Sequence, residues 1–287
     1  MTETTTMAGA ALHRSLAAMR YEVLPVKGAV TQAELLEPGS AVTVTASAGK
    51  GIEATLDTAA RLAALGLHVV PHLAARSVGD RAHLRAITDR LAGLGITEVF
   101  VIAGDSPRPV GEFPDSLALL RELAELPDRP RRVGIAGYPE RHAFISDASA
   151  IRAMTDKARY ADYVVSQICF DPKTISEWAL DVRNRGVELP IYVGAPGVVD
   201  ARRLLRIALK IGLGESTRFL RKQYGTVSRM LTRYTPEELL DELSPQLIDP
   251  ASGIAGWHLF TFNEIATTVQ WRDELEARLA GRTDQSA

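Results

Sequence analysis

The chain has 287 residues, 46% hydrophobic and 24% charged, with 33 Lys+Arg against 35 Asp+Glu and a formal net charge of -2. That balance describes one large or two small globular domains, and it argues against a dominant nucleic-acid or membrane-surface partner, which would favour a basic excess. A single cysteine, Cys169, excludes an intrachain disulfide and any multi-cysteine metal site.

In chain order, "MTETTTMAGA" lacks the basic start and apolar stretch of a signal peptide, and no apolar run of about 18 residues would span a bilayer. Cytoplasmic localisation is the expectation. Short β-branched runs then alternate with amphipathic stretches. Strands are expected at 20–26, 41–46, 67–73, 97–103, 132–137, 162–168, 190–195 and 257–262. Between them, Ile52, Leu56, Ala59, Ala60 and Ala63 recur at helical spacing, as do Leu84, Ile87 and Leu91. Gly66 and Gly95 follow these helices as left-handed stops.

Eight β/α pairs fit an α/β fold, a (β/α)8 TIM barrel, better than a doubly wound sheet. After strand seven comes "DARRLLRIALKIG", then an insertion, "GESTRFLRKQYGTVSRMLTRYTPEELLDEL", expected as two extra helices broken near Tyr234, Thr235 and Pro236. Residues 1–15 are expected to be a frayed segment, 16–282 a single catalytic domain and 283–287 a flexible tail.

In such a barrel, functional groups gather at the C-terminal strand ends. Those positions carry Glu22, Thr45, His72, Asp105, Tyr138, Gln167 and Asn263. Each has a plainer reading: Glu22 as an outward-facing strand residue, His72 as a satisfied core histidine, Asp105 as a turn cap. Their clustering by position is what raises them. No GxxxxGK[ST], HExxH or GxSxG occurs, and "IGLGEST" follows a helix instead of a strand, so it fails as a dinucleotide fingerprint. Six scattered histidines lack metal-ligand spacing, so no metal centre is expected.

In this order, "YEVLPV", "VTASA" (44–48), "HLAA" (72–75), "IAGDSP" (102–107), "AGYPERHA" (136–143), "YADYVVSQICFD" (160–171) and "LFTFNE" (259–264) resemble motifs of the methylenetetrahydrofolate reductase family in its single-domain bacterial form. The resemblance runs from about residue 20 to 275, and "GYPERH" followed by "SQICFD" is its most specific part.

It implies an oxidoreductase that reduces 5,10-methylenetetrahydrofolate to 5-methyltetrahydrofolate, with FAD passing hydride from NAD(P)H. The folate itself is the implied small-molecule partner, and a homo-oligomer is possible. By resemblance, Glu22 is the general acid that protonates N10, Asp105 supports the cationic iminium beside flavin and pterin, and Gln167 and Asn263 contact the substrate. Thr45, His72, Tyr138, His142 and, across a one-residue gap, Lys157 fall on FAD-contacting positions.

Two family arginines are replaced, by Ala103 and Glu264, with Arg76, Arg108 or Lys50 as candidate substitutes. Glu53 adds a carboxylate near the site loop. These departures keep two alternatives open: direct hydride transfer from NAD(P)H without flavin, or a tetrahydrofolate-binding homologue that has lost catalysis. The basic stretch "RFLRKQYGTVSRMLTRY" suits either an oligomer interface or the substrate's polyglutamate tail.

Overall fold

A computed structural model describes residues 3–47, 49–140, 147–210 and 233–284. Eight parallel strands close into a barrel: β1 (Arg20–Val23), β2 (Ala41–Val44), β3 (His68–Ala74), β4 (Glu98–Ile102), β5 (Arg132–Gly137), β6 (Tyr163–Ser166), β7 (Ile191–Pro196) and β10 (Ile254–Phe260). Neighbours follow chain order, and β1 seals the barrel against β10 with Arg20 opposite His258 and Glu22 opposite Phe260. Both faces of each strand are covered, so the strands read as near-continuous apolar runs. The outward set includes Val23, Val42, Val44, Val99, Val101 and Val133, packed against helices that include α3 (Gly51–Ala63), α4 (Arg81–Gly93) and α5 (Ser116–Ala124).

The inward set has a different character. Val70, Phe100, Tyr163 and Val165 form a separate apolar cluster. Gly134 belongs to that interior because a Cβ there would come within 2.3 Å of the Tyr163 ring and 2.6 Å of Phe100. The expected helix stops are seen at Gly66 and Gly95, with φ of 76° and 71°.

Three expectations change. The N-terminal segment is not frayed. Glu3–Ala17 forms α1, whose Leu12 and Leu16 are buried, and Ser15 Oγ accepts a 2.6 Å hydrogen bond from the indole of Trp257. Apolar residues at helical spacing outweighed the polar start. At the other end, α10 (Ile265–Asp284) extends to 284, with Trp271, Leu275 and Leu279 buried.

The insertion also differs. After α8 (Ala201–Lys210), residues 211–232 lie outside the described residues, and with them most of the basic stretch. Arg233–Tyr234 (β9) pairs antiparallel with Val199–Asp200 (β8), and α9 (Glu237–Leu243) starts directly after Pro236. The break is therefore a strand followed by a helix start. None of the described helices is long and apolar enough to cross a membrane.

Candidate active site

Strand parity turns Glu22 into the barrel, not outward. Its side chain is 13% exposed, and Oε2 lies 3.2 Å from His258 Nε2 and 3.6 Å from His72 Nε2. Burial raises the Glu22 carboxyl to about 7, against a smaller opposing effect from His72. The same burial depresses both histidines, His72 to about 4 and His258 to about 3. Near neutrality the three groups thus hold a carboxyl poised between its two forms and flanked by two neutral imidazoles.

Around this centre, several buried polar atoms have no hydrogen-bond partner: the hydroxyls of Thr43 and Thr45 and Nε2 of His72. Thr43 stands opposite Glu22 on β2, and Thr45 lies just past the end of that strand. A buried donor without a partner costs about 1–3 kcal/mol, so this half of the mouth is suited to a ligand with hydrogen-bonding edges.

The remaining positions lie further out. Asp105 is exposed beyond β4, close enough to Tyr138 for its charge to add to the burial that raises the phenol. Gly104 takes φ 88°, and a Cβ there would lie 3.0 Å from Ala74 Cβ. Gly104 thus serves the turn itself. Gln167 donates its backbone N–H to the Gly137 carbonyl, and its Oε1 accepts from the N–H of Ile168.

Lys157 occupies the last turn of α6 (Asp147–Ala158). Burial lowers its amine, opposed by the charge of Asp115 at the start of α5. His142 lies outside the described residues.

Asn263 holds the backbone of Leu24. Its Oδ1 accepts from the Leu24 N–H at 2.8 Å and its Nδ2 donates to the Leu24 carbonyl at 3.2 Å, which clamps the end of β10 to the loop after β1. It sits at φ 65°, a region in which Asn is tolerated and Ala is strained. Asn263→Ala is expected to lower stability by about 2 kcal/mol in a urea melt. Asn263→Gly, which relieves only the strain, should recover part of that loss.

Two of the three candidate substitute cations are engaged, whereas among the described residues Arg108 contributes only its backbone carbonyl, to the Ser106 hydroxyl at 2.7 Å. Arg76 donates to the carbonyls of Pro114 (2.9 Å) and Ser106 (3.0 Å), holding both ends of the loop that carries Asp105. Lys50 donates to the Pro25 carbonyl at 2.9 Å. Glu53 does not crowd the site, because it pairs with Arg90 of α4 at 2.8 Å. Glu264 pairs with Arg203 of α8 at 2.6 Å, and that guanidinium also reaches the Phe262 carbonyl. A cation therefore does stand near the end of β10, supplied by a different element.

Sequence reasoning missed His258, Thr43 and an ion cluster at the opposite end of the barrel. There Glu98 pairs with Arg20 and contacts His68 at 2.8 Å and Arg132 at 3.4 Å. Arg20 also donates to the Tyr163 hydroxyl at 3.1 Å and stacks over the rings of Tyr163 and Tyr192. Alternation within "WHLFTF" was the available signal for His258, since Trp257 faces out and the next residue must face in.

Closed parallel barrels with polar groups converging at the strand ends are the architecture of (β/α)8 enzymes. The comparisons narrow this class. The model of the methylenetetrahydrofolate reductase family matches residues 27–271, and the chain belongs to that family of oxidoreductases.

Curated relatives are distant. The chain is 26% identical over 129 residues to a protein described as "Probable methylenetetrahydrofolate reductase (NADPH)" from Caenorhabditis elegans, covering 42% of this chain and 19% of that one. It is 25% identical over 186 residues to "Methylenetetrahydrofolate reductase 2" from Saccharomyces cerevisiae, covering 58% of this chain and 30% of that one. The matched part thus spans less than a third of either relative. A solved structure described as a putative lyase/mutase from Burkholderia cenocepacia J2315 superimposes with TM-score 0.49 and 17% identity, over 99% of this chain and 94% of that one.

Proposed function

We propose that the chain reduces 5,10-methylenetetrahydrofolate to 5-methyltetrahydrofolate, with NAD(P)H as reductant and FAD as hydride carrier. The observation that carries this reading is Glu22, an inward carboxyl at the barrel mouth that burial holds at about 7. An acid poised there is half protonated at neutral pH, where proton donation is most effective. Glu22 would deliver its proton to N10 of the substrate, opening the five-membered ring and exposing an electrophilic iminium at N5. Asp105, exposed at the rim, would favour that cation by charge. Gln167 would orient the pterin.

The unpartnered hydroxyl of Thr45 and Nε2 of His72 fit the polar edge of a flavin or nicotinamide ring. With Tyr138, His142 and Lys157 they are the residues that would hold FAD. When bound, FAD supplies the hydride that it has taken from NAD(P)H.

A second reading, direct hydride transfer without flavin, is favoured by one observation. Ala103 replaces a family cation, and the nearby Arg76 and Lys50 are engaged with backbone carbonyls. The visible spectrum of the purified protein separates the two. A flavin band that bleaches on adding NADH or NADPH, and returns with methylenetetrahydrofolate, supports the flavin route. Colourless protein that oxidises the nucleotide only with the folate present supports direct transfer. Protein that binds tetrahydrofolate but does neither is a binding homologue, and the proposal is then wrong.

A further inference from the structure

We propose that Arg20 is a positioning residue for the acid step: its guanidinium, the cross-strand partner of His258, keeps the shared proton on Glu22 by opposing its transfer to that histidine. The proposal rests on the reading of Glu22 as the proton donor.

The hazard that Arg20 would counter follows from the geometry. Glu22 Oε2 and His258 Nε2 are 3.2 Å apart, a distance across which the carboxyl O–H can break as an N–H forms on the ring. The product would be a carboxylate beside an imidazolium, with no acid left to protonate a substrate. Such transfer needs no other reactant. Arg20 stands two residues before Glu22 on β1, directly opposite His258 on β10. An imidazolium there would face a guanidinium whose side chain is only 5% exposed, where like charges repel far more than in water. Burial is the larger cause of the low His258 value, and the Arg20 charge adds to it.

Among the described residues, the charged groups around this path are few. Glu22 faces His72 and His258, while His258 faces Glu22 and Arg20. Arg20 faces Glu98 and Tyr163, with the Tyr192 ring alongside. Glu98 in turn carries Arg132 and His68. Two arginines on one carboxylate leave the cluster with a net positive charge, so pairing with Glu98 anchors Arg20 without cancelling its field. The Nε of Arg20 and Nδ1 of His258 both lack hydrogen-bond partners, so the influence runs through charge and not through a bond.

The test compares Arg20→Lys, which keeps the cation, with the double variant Arg20→Gln/Glu98→Gln, which removes it without stranding Glu98. The readouts are nitrogen-15 imidazole titrations of the unliganded protein and the pH profile of kcat. In the double variant His258 should become protonated at higher pH than in the wild type, yet still below the range where Glu22 titrates because its burial remains, and the pH profile of kcat should shift with little change in KM. Arg20→Lys should match the wild type in both. An unchanged His258 titration in a folded double variant overturns the proposal.

If the double variant does not fold, Arg20→Gln alone decides. An imidazolium signal from His258 at pH 6 in the wild type, or an unchanged His258 midpoint in Arg20→Gln, overturns the proposal, and a midpoint raised in Arg20→Gln but not in Arg20→Lys supports it. The titrations do not depend on turnover. A shifted titration in a protein inactive on methylenetetrahydrofolate would sink the reading of Glu22, and with it the acid-step role of Arg20, while leaving the effect of the Arg20 charge on His258 standing.

Discussion

Glu22→Gln is expected to lower turnover by about 10²-fold or more while tetrahydrofolate binding is retained. Glutamine preserves the shape and the hydrogen-bonding edge of the side chain but has no proton of suitable acidity to give. The measurement is kcat with methylenetetrahydrofolate beside a binding titration with tetrahydrofolate. Unchanged turnover would remove Glu22 from the mechanism, and loss of binding alone would recast it as a recognition group.

The same substitution carries a stability signature. The folded value of Glu22, about 7, lies above its ordinary 4.5, so the folded protein binds this proton more tightly than the unfolded chain. That contribution is full below pH 4.5 and is lost as pH rises through 7, with an upper bound of about 3 kcal/mol. Glutamine does not ionise. The stability of Glu22→Gln relative to wild type should therefore improve between pH 5 and pH 8, as read by denaturant melts. The two histidines act in the opposite sense, losing stability as pH falls from 6.5 towards 4 and 3, and because both touch Glu22 they do not cancel, so the comparison is cleanest on the alkaline side of that window.

The second large effect is expected at the far end of the barrel. Glu98→Ala should cost about 3–5 kcal/mol, because it strands the buried guanidinium of Arg20. Glu98→Gln, which keeps a hydrogen-bond acceptor, should cost less. Burial alone would raise the Glu98 carboxyl, but the hydrogen bond from His68 and the charge of Arg20 outweigh it and hold it at about 2. A depressed carboxyl stabilises fully above its ordinary 4.5, and the effect is lost as pH falls towards 2. Wild-type stability should thus fall across that window more steeply than that of Glu98→Gln. Equal acid sensitivity would show that the cluster contributes nothing net to the fold.

Much of the architecture was legible in the chain. The β-branched runs and 3.6-residue periods located all eight barrel strands, because those patterns reflect local burial on strand and helix faces. The motif order from "YEVLPV" to "LFTFNE" likewise anticipated the family. The N terminus was misread since Leu12 and Leu16 bury against elements that a local composition cannot see, Trp257 among them. Arg76, Lys50 and Glu53 were read as charges near a ligand. In the fold they answer to Pro114, Ser106, Pro25 and Arg90, whose positions depend on loop paths.

The amino-acid sequence determined by itself the alternation of strands and helices and the chemistry available at the strand ends. Only the tertiary structure decided which of these groups meet. Glu22 and His258 are 236 positions apart and touch because the barrel closes β1 onto β10 in one register. The altered acidity of Glu22 follows from that closure, since it is burial among other strands that makes a carboxylate costly, and no residue within reach along the chain could impose it.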